Sequence, residues 1–72
     1  MLKIYVSNNG DREEVNVSPD TTIAQVFAKA GIAMGNAILW LNDEPVEANQ
    51  TLKELGVVGE AYLMAVSNKN NG

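Results

Sequence analysis

The sequence predicts an α+β fold, with a mixed sheet of four to five strands and one main helix packed on one face. Residues 22–31 contain the one convincing stretch of apolar side chains at helical spacing. The segments before and after it alternate between apolar and polar residues, as strands do. A helix of about 9 residues is too short to be stable alone, so it must pack against those strands. The chain of 72 residues is long enough for one small domain.

Residues 2–17 predict a β-hairpin. Apolar and polar residues alternate along residues 2–6, so one face of this strand is apolar. Residues 7–11 form the turn, and the Asn-Gly pair within them is the strongest short hairpin signal. Residues 12–17 return as the second strand, with their two valines facing inward. A hairpin with one apolar face needs a covering element, which the following helix supplies.

The helix has recognisable ends. Thr22 is the predicted N-cap, and Gln25 stands three residues later, as in a capping box. Gly31 occupies the position where a glycine usually ends a helix. The side chains expected to face the sheet recur at helical spacing: Ile23, Val26, Phe27 and Ala30.

Further elements follow the helix. Residues 37–41 are dense in residues that favour strands and predict the third strand. Val46 starts a very short edge strand after a turn, and residues 51–57 resemble one helical turn. Residues 61–66 alternate again and predict the last strand. Because the helix offers a right-handed crossover from the hairpin, the first and last strands can lie parallel at the centre. This is the β-grasp architecture.

Four segments resemble ubiquitin-like proteins, and together they cover nearly the full chain. They are the opening hairpin strand MLKIYV, the stretch VNVSPDTTIAQVFAKA, the stretch LWLNDEPVEANQTLKELGV and the final strand AYLMAV. The connection between helix and third strand is a few residues shorter than in ubiquitin. We therefore expect a ubiquitin-like domain over residues 1–66 and a flexible polar tail over residues 67–72.

The resemblance implies a protein modifier, of a divergent and bacterial kind, that reacts through Gly72. The terminal carboxylate of such a modifier is adenylated by an activating enzyme and then transferred to target proteins. The implied partners are activating and conjugating enzymes, a processing peptidase and protein targets. Related modifiers usually end in Gly-Gly, whereas this chain ends in Asn71-Gly72.

Two alternatives use the same architecture, since a fold alone does not define a function. One is a non-covalent interaction module, like the small ubiquitin-like components of type VII secretion systems. The other is a sulfur carrier, in which Gly72 becomes a thiocarboxylate. The apolar stretch that precedes the terminus of sulfur carriers is missing here.

Trp40 marks the expected partner-binding face. If the leucines beside it point to the helix, Trp40 points to the far side of the sheet. In the ubiquitin-like register this position falls on the partner-binding apolar patch. The residues expected on this face are Trp40, Leu63, Ala65, Ile38 and Tyr5. The alternative is a strand flipped by one residue, which would place Trp40 in the core.

Composition excludes several classes of chemistry. The chain has no cysteine and no histidine, so thiolate catalysis, disulfides and imidazole ligands are impossible. The net charge of −4 and the scattered basic residues disfavour nucleic-acid binding. No apolar run reaches about 18 residues, so none spans a membrane. We expect a monomeric, cytoplasmic protein that is not an enzyme and needs no metal or cofactor.

Overall fold

The computed structural model describes residues 1–66. The predicted tail at residues 67–72, including Gly72, lies outside the described residues. The described part contains these elements in chain order: β1 Leu2–Asn8, β2 Asp11–Val17, α1 Ile23–Ala30, β3 Ile38–Leu41, β4 Glu44–Val46 and β5 Glu60–Val66.

The strands form one mixed sheet in the order β2-β1-β5-β3-β4. β1 and β5 run parallel at the centre, and the other neighbouring strands are antiparallel. This arrangement confirms the predicted ubiquitin-like β-grasp fold. β4 lies at one edge of the sheet, where Pro45, which lacks a backbone donor, is tolerated.

Two tight turns set the register of the hairpins. Asn9 and Gly10 connect β1 to β2 with φ of 49° and 98°, and Asn42 and Asp43 connect β3 to β4 with φ of 50° and 71°. Positive φ at both central residues is typical of type I′ turns, whose twist matches that of paired strands. Asparagine, aspartate and glycine tolerate this conformation best. The turns therefore determine which side chains share a face of the sheet.

The helix begins and ends where the sequence predicts. The Gln25 N–H donates to Thr22 Oγ1 at 3.2 Å, and the Thr22 N–H donates to Gln25 Oε1 at 2.9 Å, which completes the capping box. Gly31 adopts the left-handed conformation with φ of 73°. These local signals fix the ends of α1 without any contribution from the sheet.

Residues 47–59 connect β4 to β5 and pack against the beginning of α1. The first helical N–H groups, those of Ile23 and Ala24, donate to the carbonyls of Gln50 and Ala48, each at 2.9 Å. The segment predicted as a helical turn consists of hydrogen-bonded turns, in which the Leu55 N–H donates to the Thr51 carbonyl at 3.2 Å. The connection thus supplies carbonyl acceptors for helical N–H groups that a free helix N-terminus would leave unpaired.

The core lies between α1 and the sheet face that it covers. Phe27 and Val26 of the helix pack there against side chains from the first, second, third and last strands. The fully buried side chains are Phe27, Ile4, Ile23, Leu52, Leu63, Val6 and Val26. The apolar sides of the predicted strands therefore meet the apolar stripe of the helix, as a two-layer domain requires.

Leu63 and Ala65 belong to this core, so the prediction that they share the face of Trp40 is wrong. Their exposed fractions are 0% and 4%. The register of β3 and β5 places Leu41 opposite Leu63 and Leu39 opposite Ala65. Residues that lie directly opposite each other in a sheet share a face. Both therefore point to α1 with the leucines of β3.

Candidate protein-interaction surface

The sheet face opposite α1 carries a continuous row of large apolar side chains, which we call the outer face. β5 crosses the middle of this face, with β1 on one side and β3 on the other. The outer face consists of Tyr5, Ile38, Trp40, Tyr62, Met64 and Val66.

Strand register brings these residues together in pairs. Tyr5 lies opposite Tyr62 across the parallel β1–β5 ladder. Trp40 lies opposite Met64, and Ile38 lies opposite Val66, across the antiparallel β3–β5 ladder. The three pairs occupy successive outward positions of β5, so they form one contiguous patch.

The patch is open to solvent. The exposed fractions are 62% for Tyr62, 44% for Val66, 42% for Ile38 and 40% for Met64. Tyr5 and Trp40 are half-buried. Contiguous exposed apolar patches mark interaction sites more often than scattered apolar residues do. Tryptophan and tyrosine are also the residue types that most often anchor protein interfaces.

The two tyrosines form a stack. Their ring centroids lie 4.9 Å apart, and the ring planes differ by 21°. The Tyr5 hydroxyl donates to Glu60 Oε1 at 3.3 Å, which ties the stack to an acidic side chain at the start of β5. Aromatic pairs in this geometry stabilise each other beyond their buried area. The stack therefore holds Tyr62 in place although its ring is largely exposed.

Acidic groups surround Tyr5. Glu14 of β2 lies directly opposite Tyr5 and forms an ion pair with Lys3, with 3.7 Å between Nζ and Oε2. The pKa of the Tyr5 phenol is raised above 10.0, first because its surroundings withdraw it from water and then because Glu60 is nearby. Lys3 lowers the same pKa, but Glu60 and Glu14 outweigh it. The phenol is therefore neutral at physiological pH.

The β3–β4 turn is attached to Tyr62. The Asn42 N–H donates to the Tyr62 carbonyl at 2.9 Å, and the Tyr62 N–H donates to Asn42 Oδ1 at 2.9 Å. This pair of hydrogen bonds holds the turn residue Asp43 close to the backbone of Tyr62. Glu44 lies opposite Leu41, so its side chain is on the helix side of the sheet.

A groove runs along the outer face between β2 and β5. One hollow of about 490 Å³ is lined by Tyr5, Ser7 and Tyr62 together with β2 side chains. A second hollow of about 510 Å³ continues beyond Ser7 towards Val66. Ser7 is a small residue between Arg12 and Met64, so the sheet surface is depressed there. The groove could accept side chains of a bound segment.

Three of the predicted surface residues, Tyr5, Ile38 and Trp40, lie together on the outer face. Their role in partner binding stays a prediction. Sequence reasoning missed Tyr62, Met64 and Val66 as members of this face. The alternation of the last strand separates these residues from the buried ones, but it does not show which of the two sets faces α1.

Residues 1–66 contain no group of three or more acidic side chains arranged to hold a metal ion. In the same part of the chain, no helix has the length and apolar character needed to cross a bilayer.

Sequence comparisons give no match. No model of a known protein family fits the chain, and no curated protein sequence is significantly similar to it.

Solved structures share the fold. A protein designed de novo on the basis of ubiquitin has a TM-score of 0.73 and 21% identity over 97% of this chain and 92% of its own. Ubiquitin of Caldiarchaeum subterraneum has a TM-score of 0.70 and 20% identity over 99% of this chain and 98% of its own.

Two other solved proteins contain a similar domain. ATBAG1, solved in complex with HSP70, has a TM-score of 0.68 and 17% identity over 93% of this chain, which spans only 40% of the ATBAG1 chain. A chain of phenol hydroxylase from Pseudomonas sp. OX1 has a TM-score of 0.67 and 23% identity over 94% of this chain and 74% of its own. At these identities the similarity concerns the fold.

Proposed function

We propose that this ubiquitin-like β-grasp domain is a protein-binding module that docks a partner protein on its outer face. The observation that carries the proposal is the contiguous exposure of Tyr62, Met64, Val66 and Ile38 beside Trp40. Burying such side chains against a partner removes apolar surface from water, at about 25 cal/mol per Å². Trp40 is already half-buried in the free domain, so it loses less side-chain freedom on binding than a fully exposed residue would.

One of the comparisons supports this proposal, because a protein that contains a similar domain was solved in complex with a partner. One similar structure is a complex, that of ATBAG1 with HSP70, and another is an archaeal ubiquitin. These relatives do not identify the partner, because the same fold serves unrelated functions. The outer face itself must define what binds.

The test compares full-length, N-terminally tagged chains in quantitative pull-downs from the native host. Trp40→Ala should lose specific partners, while Val58→Ala should retain them. Val58 is a suitable control because it is 85% exposed and lies in the connection before β5, outside the outer face. Circular dichroism should show both variants folded. Identical partner sets for the two folded variants would contradict the proposal.

A second candidate is a covalent modifier that reacts through Gly72. It is favoured by the match to Caldiarchaeum ubiquitin, which extends over 98% of that chain. In this mechanism the Gly72 carboxylate attacks ATP and forms an acyl adenylate with release of pyrophosphate. A thiolate of the activating or conjugating enzyme displaces AMP, and a target amine then displaces that thiolate. The outer face would bind these enzymes.

The sulfur-carrier alternative shares the first step. A sulfide nucleophile then attacks the Gly72 adenylate and displaces AMP, which leaves a thiocarboxylate, and no target protein becomes attached.

A blot of the N-terminally tagged chain, expressed in its native host, distinguishes these mechanisms. Heavier species that disappear when Gly72 is deleted would establish conjugation. A single band at the free mass in both lanes would contradict the modifier. In that case intact-mass measurement of the free chain should reveal a thiocarboxylate if the protein is a sulfur carrier.

A further inference from the structure

Tyr62 presents an open aromatic surface at one end of the outer face. Tyr5 stacks against it with 4.9 Å between ring centroids. Tyr62 is nevertheless 62% exposed, the largest exposed fraction on the outer face. The ring face turned away from Tyr5 is therefore available to a ligand. The face of an aromatic ring is electron-rich and attracts cations.

Carboxylates surround this aromatic pair. Glu60 accepts the hydrogen bond from the Tyr5 hydroxyl, and its second oxygen can accept another donor. Asp43 follows Asn42, which is hydrogen-bonded to both backbone groups of Tyr62. Of the two bases in this region, Lys3 pairs with Glu14, and Arg12 lies opposite Ser7 in the groove. An incoming positive charge would therefore meet aromatic and acidic groups together.

We propose that the Tyr5–Tyr62 pair binds an arginine side chain of the partner protein, whose guanidinium stacks on Tyr62 and donates to Glu60. This inference rests on the proposed docking function and adds the chemistry of the partner. Arginine fits better than lysine because its planar group stacks on a ring and still presents hydrogen-bond donors at its edge. The partner segment is thus basic, with apolar residues that cover Trp40 and Met64.

The overall charge agrees with a basic partner. The chain contains nine acidic and five basic residues, for a net charge of −4. An acidic segment would be repelled by Glu60 and the β3–β4 turn, and a second copy of the chain would bring a like net charge. Electrostatic attraction of this kind accelerates association and selects among partners.

The experiment is a nuclear magnetic resonance titration of the full chain with three short probes. The probes are acetyl-Leu-Arg-Leu-amide and its analogues with citrulline or glutamate in place of arginine. Citrulline keeps the planar shape and lacks the charge. We expect the arginine probe to shift the amide signals of Glu60 and Tyr62, with an affinity about 3- to 30-fold above that of the citrulline probe.

Three variants and one control examine the protein side of the interaction. Tyr62→Leu keeps apolar area but removes the ring, so the preference for arginine over citrulline should disappear. Tyr62→Phe keeps the ring and should retain the preference, which also shows that the site tolerates substitution. Glu60→Gln should lower the affinity for the arginine probe and reduce the salt dependence of its binding. Val58→Ala should behave like the unmodified chain.

The outcomes separate this inference from the proposed function. Equal affinities for the arginine and citrulline probes, or no shift with arginine up to about 5 mM, would overturn the arginine site. The docking function would still stand if Trp40→Ala loses its partners in the pull-down. A second copy as the occupant would appear as concentration-dependent self-association in analytical ultracentrifugation, with loss of that association in Tyr62→Leu, and would overturn the basic partner.

Discussion

Trp40 and Met64 lie directly opposite each other on β3 and β5, on the sheet face that α1 leaves uncovered. Their neighbours on the same two strands, Leu41 and Leu63, are also opposite each other but face the helix. One residue of offset along each strand thus separates the core from the outer face. Truncating one residue of each pair therefore compares how much the two faces contribute to the free energy of unfolding.

Leu63→Ala and Met64→Ala test this difference. Leu63 is fully buried, so its truncation should lower the free energy of unfolding by about 3 kcal/mol, through lost transfer energy and a residual cavity. Met64 is 40% exposed, so its truncation should cost about 1 kcal/mol or less. Urea unfolding followed by far-ultraviolet circular dichroism measures both. A larger loss for Met64→Ala would mean that the faces are assigned the wrong way round.

The capping box at α1 predicts a graded response to substitution of Thr22. Thr22→Ala removes the oxygen that accepts the Gln25 N–H, and it should destabilise the domain by about 1 kcal/mol. Thr22→Ser keeps that oxygen and should retain most of the stability. Chemical denaturation of the two variants gives the comparison. Equal losses would indicate that the methyl group of Thr22, rather than its hydroxyl, contributes the stability.

Gly31 ends α1 with φ of 73°, in the conformation that disfavours side chains. The space around it is open, so an added methyl group would meet no neighbouring atom. Gly31→Ala should therefore cost about 1 kcal/mol through backbone strain alone. Gly31→Asn should cost less, because asparagine tolerates this conformation better. Thermal unfolding of the two variants checks the order, and a neutral Gly31→Ala would exclude backbone strain at this position.

Tyr5 should make stability depend on pH in the alkaline range. Its raised pKa means that the folded chain holds the phenolic proton more tightly than the unfolded chain does. The unfolded state therefore binds fewer protons once pH exceeds about 10, and stability falls as pH rises from there through the folded pKa. Below that range Tyr5 is protonated in both states and contributes no pH dependence.

Tyr5→Phe is the matched variant, since it keeps the ring and removes the ionisable group. Urea midpoints measured between about pH 8 and about pH 11 should decline more steeply for the unmodified chain than for Tyr5→Phe. Parallel curves would show that Tyr5 ionises equally well in both states.

Local signals were sufficient to predict most of the fold. The Asn-Gly turn identified the first hairpin, and the residues at both ends of α1 identified its limits. These features depend on interactions within a few residues of sequence, so they can be inferred without the structure. The parallel pairing of β1 and β5 followed from the handedness of the crossover between them.

The membership of the outer face could be predicted only in part. Alternation divides β5 into two sets, but it does not show which set faces the helix. That choice depends on the register with β1 and β3, which are distant in sequence. Trp40 was placed on the outer face because its flanking leucines identified the core side of β3. No comparable signal marked β5, so Leu63 and Ala65 were assigned to the wrong face.

The bonds between the beginning of α1 and residues 47–59 have a consequence for local opening. Ile23 and Ala24 donate to Gln50 and Ala48, and Leu52 donates in return to Thr21. A long connection is normally where proteases cut and where amide protons exchange first. Here the connection cannot detach without also exposing the first turn of the helix. The amides of the connection and those of the first helical turn should therefore exchange with solvent deuterium at similar rates. Proteolytic resistance of this connection would then report on whether the beginning of α1 is folded.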